Sequence, residues 1–147
     1  MRNIVVYHPQ NKPSKEEKEK FIAFLYRHLE QYGDTRQDIS KAVAYALKER
    51  ESDGGFITLL YENAKLLGVA VINCTGMSGY IPENILVYIA THSDHRGRGV
   101  GRELMEALIN CAEGDIALHV EANNPARFLY EKMGFTNPYL EMRLKKN

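Results

Sequence analysis

The stretch His95-Arg96-Gly97-Arg98-Gly99-Val100-Gly101-Arg102-Glu103-Leu104 (HRGRGVGREL, residues 95–104) decides how this chain is read. An apolar run, ILVYIATH (85–92), comes before it, and a helical pattern follows at once. The run is apolar at successive positions, as expected of a central strand covered on both faces. Glycine lets the backbone take positive φ and approach a ligand closely. Successive N–H groups at a helix start form an anion site, and Arg96, Arg98 and Arg102 add charge that pairs with phosphates. Strand, glycine-rich turn and helix together imply a phosphate-bearing ligand. A Walker loop would need Gly-Lys-Ser/Thr, but Gly101 is followed by Arg102 and Glu103. The dinucleotide fingerprint needs G-x-G-x-x-G in a first strand–helix–strand unit with an acidic residue beyond. Glu121 sits near that distance, yet the glycines are spaced G-x-G-x-G and come late in the chain.

Working outward, NIVVY (3–7) reads as a short strand broken by PQNKP. Ser14 and Glu17 form a capping-box pattern. Phe21, Ile22, Leu25 and Leu29 then give one apolar helical stripe ending near Gly33. Thr35 with Asp38 starts a second helix whose buried face is Ile39, Ala42, Val43, Ala46 and Leu47. FITLLY (56–61) and LLGVAVINC (66–74), joined by the polar ENAK, make a hairpin. A helix is expected from about Arg98 to Ala112, then a strand IALHV (116–120). Asn124 before Pro125 reads as an N-cap and first helical residue, with a stop at Gly134. From Phe135 onward, YLEMRL predicts a last strand or strand pair. Residues 1–147 form one α/β domain: a mixed, mostly antiparallel sheet with one parallel pair, a right-handed crossover and flanking helices.

Composition narrows the function classes. Nineteen Lys and Arg balance nineteen Asp and Glu, so the formal net charge is +0. General attraction to nucleic acid or to an anionic membrane is not indicated. Cys74 and Cys111 form no disulfide framework, and no Cys/His cluster has metal-ligand spacing. The N-terminal apolar run is too short for a signal peptide and the longest apolar run is too short to span a membrane. The expectation is a cytoplasmic protein that binds no metal.

Arg96-x-x-Gly99-x-Gly101 matches Q/R-x-x-G-x-G/A, and ANNPARFLYEKMGF (122–135) matches N-x-x-A-x-x-x-Y-E-K-x-G-F. In that order and at that separation, the two stretches resemble motifs A and B of the GNAT superfamily of acyl-CoA N-acyltransferases. The resemblance implies acetyl-CoA lying between two parallel strands that splay apart, here those ending near Thr91 and Val120. The pantetheine arm would pair with backbone at Ile89, Ala90 and Thr91 like an added strand. The pyrophosphate would rest on residues 96–102 (Arg96, Gly97, Arg98, Gly99, Val100, Gly101 and Arg102), with Arg98 or Arg102 reaching the ribose 3′-phosphate. Asn123 would hydrogen-bond the coenzyme arm. Ala126 is small enough for the ligand to pass. Tyr130 would hold or protonate the departing sulfur as general acid, since a phenol with a pKa near 10 is protonated at neutral pH. Asn123 and Tyr130, seven residues apart, would share one helix face, with Phe128, Leu129 and Met133 in the core.

The acceptor amine must attack unprotonated. For a lysine-like amine this costs roughly 4–5 kcal/mol at pH 7, so a base is useful. Glu83 is the first candidate, with His92, Glu121 and His119 behind it. The acceptor pocket would be built by residues 14–50 and the loop TGMSGYIPEN (75–84), with Met77, Ser78, Tyr80 and the nearby Asn73. No Ser/His/Asp or Cys/His set marks a covalent route, so direct transfer to a primary amine of a small molecule or peptide is implied. Two alternatives stay open: a non-catalytic acyl-CoA sensor and O-acylation. Homodimerisation occurs in the family and cannot be read from the sequence.

Overall fold

A computed structural model describes residues 1–147. Five strands, β1 (Arg2–Tyr7), β2 (Gly55–Glu62), β3 (Lys65–Cys74), β4 (Asn84–Thr91) and β5 (Ile116–Leu118), form one sheet in sequential order. The pairs β1–β2, β2–β3 and β3–β4 are antiparallel, and β4–β5 is parallel. Helices α1 (Lys15–His28) and α2 (Arg36–Ala46) cover one face, while α3 (Val100–Cys111) and α4 (Ala126–Lys132) belong to the other. The mixed sheet, and the element order as far as α4, agree with the sequence reading.

Local chemistry sets the helix starts. Ser14 Oγ accepts the Glu17 N–H at 3.1 Å, and Thr35 Oγ1 accepts that of Asp38 at 3.1 Å. The Glu17 carboxylate does not complete the expected box. It accepts the Tyr61 hydroxyl at 2.9 Å and so joins α1 to β2. Phe21 and Leu25 of α1, with Ile39, Val43 and Leu47 from α2 and its C-cap, are buried against Ile57, Leu59, Val69 and Val71. On the opposite face Val100, Leu104, Met105 and Leu108 of α3 pack on Leu60, Leu67, Ala70, Ile72 and Leu86. At Gly68 the approach is tight: an added Cβ would lie 3.1 Å from Leu104 and 3.2 Å from Val100. The glycine brings the start of α3, and the loop before it, down onto the sheet.

Two local readings are corrected. Residues 135–147 form no strand, and Tyr139, Leu140, Met142 and Leu144 are exposed. Alternation gives a segment two faces but not a ladder partner, and this segment leaves α4 without meeting the open edge of β5. Phe128 is not core. It is 60% exposed, with the Arg127 guanidinium 5.8 Å from its ring centre. α4 spans only seven residues, so its buried face holds little beyond Tyr130.

Candidate active site

The parallel pair is short. Only Asn84↔Ile116, Ile85↔Ala117 and Leu86↔Leu118 are in register, although β4 continues to Thr91. The register of β4 against β3 slips at the same place. Val71 pairs with Tyr88 and the next residue, Ile72, pairs with Leu86, so Val87 is an extra residue in β4. Val87 and Tyr88 both pack towards the α1/α2 layer, as a bulge requires, while Leu86 and Ile89 face α3. The bulge bends β4 as it parts from β5. Beyond it Tyr88, Ile89, Ala90 and Thr91 keep their ladder to β3 and have none to β5.

The open edge leads into the glycine-rich loop. Gly97 and Gly99 have φ of +82° and +78°, and a Cβ on either would meet nothing within 4 Å. Glycine is needed there for its backbone conformation, not to relieve crowding. Gly101 differs: its added Cβ would lie 3.1 Å from Leu129, so it lets α3 and α4 meet. None of the amides from Gly97 to Arg102 donates to a turn or cap acceptor. Arg2 holds this region from outside the loop. Its guanidinium donates to Glu62 (2.9 Å), Glu103 (3.1 Å) and the Arg98 carbonyl (3.0 Å). Arg96 is also committed, donating to the His28 carbonyl (3.0 Å) and Glu30 (3.3 Å), so it ties the loop to the end of α1. Arg102 lies 3.9 Å from Glu106, and Arg98 forms no ion pair. Free amides at a helix start and uncommitted arginine charge suit a phosphate-bearing coenzyme.

Beyond β5 the Asn124 side chain accepts the Ala126 N–H at 2.9 Å, which starts α4 as expected. Asn123 therefore precedes the helix, and its position is set by the turn, not by a face shared with Tyr130. Its carbonyl accepts the Tyr32 hydroxyl at 3.3 Å. Tyr130 is buried, with Phe135 edge-on at 6.1 Å. Its hydroxyl has no hydrogen-bond partner in the protein, and burial pushes its pKa up to about 12. The phenol stays protonated across the working range and has a proton to donate.

The expected base candidates lie apart from the open edge or are engaged. Glu83 Oε1 accepts the Asp115 N–H at 2.9 Å, and this bond holds the carboxyl below its ordinary pKa. Glu83 thus secures the turn into β5, before the paired end of β4. His92 packs against His28 with ring centres 4.3 Å apart, and its Nδ1 accepts the Asp94 N–H at 3.2 Å. Burial, then the charge of Lys65, lowers its pKa. His119 and Glu121 are exposed. Of the acceptor-side residues, Tyr80 is 80% exposed, and the loop around it is held by Thr75 Oγ1 donating to the Pro82 carbonyl at 2.8 Å. With its amide turned so that the nitrogen faces the surrounding acceptors, Asn73 donates to the Ala42 carbonyl at 3.2 Å and joins β3 to α2. Burial raises the Cys74 thiol pKa, so it is no activated nucleophile.

One pair was not foreseen. The Tyr88 hydroxyl, beside the bulge, donates to Asp34 in the connection between α1 and α2. No spacing rule links positions 54 residues apart, and the bulge that turns Tyr88 to this face leaves no mark in an all-apolar run.

The comparisons agree with this geometry. Residues 53–137, more than half of the chain, match the family model described as an acetyltransferase (GNAT) domain. No curated protein matches the chain by sequence. Among solved structures, the ribosomal-protein-S18-alanine N-acetyltransferase of Escherichia coli superposes with a TM-score of 0.71 at 19% identity, over 95% of this chain and 80% of that one. An aminoglycoside acetyltransferase from an uncultured soil metagenomic sample gives 0.70 at 18% identity, over 100% and 99%. The ribosomal-protein-alanine N-acetyltransferase of Brucella melitensis gives 0.68 at 17%, over 99% of both chains. At these identities the likeness to each structure is one of fold, and it joins the family match, the parted strands and the glycine-rich loop in one assignment: the chain belongs to the GNAT family of acetyltransferases.

Proposed function

We propose that this protein transfers the acetyl group of acetyl-CoA directly to a primary amine of a small molecule or peptide. The observation that carries the reading is the edge of β4 beyond Leu86, free of β5 and ending in a loop of unused amides. Backbone at Ile89, Ala90 and Thr91 would hold the pantetheine arm as an added strand. The amides of residues 97–102 would hold the pyrophosphate, with Arg98 and Arg102 as the nearby charges not spent on fastening the loop. Arg96 is better read as the loop's anchor to α1.

The role of Tyr130 follows from its surroundings. A phenol at about 12 and a thiol near 8.5 are mismatched by roughly 3.5 units, or about 5 kcal/mol for a completed proton transfer. The hydroxyl is therefore best suited to donate a hydrogen bond to the sulfur as the C–S bond breaks, with solvent completing the protonation. Glu83 is not favoured as base, because its carboxylate holds the Asp115 amide.

That same engagement supports a second reading, an acyl-CoA sensor without turnover. Calorimetric titration with acetyl-CoA, combined with thiol release across a panel of primary amines and peptides, separates the two. Binding with amine-dependent thiol release is the expected result. Binding without release for any acceptor favours the sensor, and absence of binding removes both readings.

A further inference from the structure

The connection between α1 and α2, residues 29–35, touches all three parts of the coenzyme cleft. Glu30 takes the Arg96 guanidinium of the glycine-rich loop at 3.3 Å. Asp34 takes the Tyr88 hydroxyl from β4. Tyr32 donates to the Asn123 carbonyl beyond β5 at 3.3 Å. At Gly33 an added Cβ would lie 2.7 Å from the Leu29 Cβ, so the turn is tightly folded on itself. The connection is thus a strap across the parted strands on the α1/α2 face.

The direction of the cleft fixes what Asp34 overlooks. An extended coenzyme arm that starts at residues 97–102 and follows the free edge of β4 runs from Thr91 towards Leu86, where the strands close. Its reactive end arrives beside Tyr88 and the bulge. Asp34 stands on the far side of Tyr88 from the sheet, is exposed, and has no cationic partner. Of the other groups at this corner, Asp38 acts on Tyr88 through its charge and lies 3.8 Å from Lys41. Arg36 stacks over Tyr26 at 5.0 Å. The Tyr88 phenol itself is held protonated, by burial first and by Asp34 second.

We infer that Asp34, fixed by the Tyr88 hydroxyl at the opening of the splay, anchors the acceptor's ammonium group and receives a proton from its nitrogen during transfer. This rests on the acetyl-transfer reading above and adds the acceptor-side group that it lacks. The acceptor arrives as R–NH3+ and is held by the carboxylate. One proton leaves to solvent, and the neutral nitrogen forms the C–N bond with the thioester carbonyl carbon. The nitrogen, now positively charged, gives its second excess proton to Asp34 as the C–S bond breaks. The thiolate takes one proton, and Asp34 returns its own to solvent. In sum R–NH3+ and the acetyl thioester give the acetamide, the thiol and one H+.

Asp34→Asn is a clean probe, because an amide oxygen can still accept from Tyr88 and the strap stays tied. With an alanine-terminated hexapeptide or benzylamine as acceptor, kcat/KM should fall about 100-fold, the lower part of the range for acid–base groups. The acetyl-CoA Kd should stay within about twofold, and Asp34→Glu should recover part of the rate. Tyr88→Phe, which frees the carboxylate without removing it, should raise the acceptor KM severalfold with a smaller change in kcat. That split marks a positioning residue, whereas a purely structural role would lower the thermal midpoint and leave KM unmoved. Wild-type rates in Asp34→Asn overturn the inference and leave acetyl transfer standing. If neither probe is acetylated, n-propylammonium binding to the CoA-saturated protein, followed by NMR, decides instead. Weaker binding in Asp34→Asn than in wild type supports the inference, and equal binding overturns it. Failure of acetyl-CoA itself to bind overturns both the inference and the reading beneath it.

Discussion

The two ends of the β4–β5 pair are built from opposite materials. At the closed end almost every polar group is spent. The buried Asn84 donates through its amide nitrogen to the Glu113 carbonyl (2.7 Å) and the Asp115 carbonyl (3.2 Å), while its backbone N–H reaches the same Asp115 carbonyl (3.1 Å). Glu83 takes the Asp115 amide in return. At the open end, beyond the Val87 bulge, a strand edge and a run of loop amides are left unspent. The splay is therefore a property of the fold. One end is sutured by side chains and the other is held apart by an extra residue, so the edge stands ready for a ligand without first breaking a ladder. Preorganisation of this kind lowers the ordering cost of binding.

Breaking the suture should have the largest effect. Asn84→Leu removes the side-chain donor from the Glu113 carbonyl, leaves the Asp115 carbonyl with the backbone N–H alone, and places an apolar side chain among these groups. Losing these side-chain bonds costs about 1–3 kcal/mol, so a loss of about 2 kcal/mol in unfolding free energy is expected. Urea denaturation checks it through the midpoint. A midpoint close to wild type would mean that the strands are held together by packing alone. Acetyl-CoA affinity should fall in the same variant, because the open end is defined by the closed one.

Tyr130→Phe acts on the open end alone. The hydroxyl has no partner in the protein, so its removal strands nothing and should leave the unfolding midpoint almost unchanged. A kcat loss of about 10- to 100-fold, equivalent to about 1.4–2.7 kcal/mol, is expected with the acetyl-CoA Kd kept within about twofold. An unchanged kcat against an accepted amine would remove Tyr130 from the chemistry and leave it a packing residue.

The open end was far more legible in the sequence than the closed one, for a physical reason. Loop and cap chemistry is local. Glycines needing positive φ, Ser14, Thr35 and the Asn124-Pro125 pair are read within a few residues of where they act, and the helix faces follow from period alone. The coenzyme side lies in two continuous stretches and could be matched as such. The suture, the bulge and the Asp34–Tyr88 pair all join distant positions. Asn84 looks like an ordinary strand start until Glu113 and Asp115 are brought to it. The slip at Val87 is invisible because both faces of β4 are apolar. Sequence position brings Glu83 next to β4 but does not say at which end of the splay it stands. It lies at the sutured end. YLEMRL failed for a related reason, since a pattern suited to a strand needs a neighbour that pattern cannot supply.

Gly99→Ala should cost less than either variant above. It forces a Cβ onto a residue at φ +78°, with no steric clash to add. Roughly 1 kcal/mol of backbone strain is expected. If the loop relieves the strain by turning its amides, the cost appears as a severalfold higher acetyl-CoA Kd, readable by calorimetry. If it does not, the cost appears as a lower unfolding midpoint. No change in either quantity would mean that the loop does not need its left-handed turn.

Glu83→Gln should have the smallest effect, and it tests whether the closed end takes part in catalysis. The carboxyl pKa is lowered in the folded state by the Asp115 amide, so it contributes stability that is present above its unfolded value, near 4.3. That contribution is lost as pH falls through the folded value. The variant should therefore be slightly less stable than wild type at pH 7, and the two should converge once pH has fallen below the folded-state value. Paired denaturation curves at pH 7 and below that value measure this. In the same variant kcat and its pH profile should match wild type, because the group removed serves the turn into β5. A large fall in kcat with the loss of the ascending, low-pH limb of the profile would return Glu83 to the role of base. It would also require the sutured end to open during turnover, since its carboxylate would first have to release Asp115.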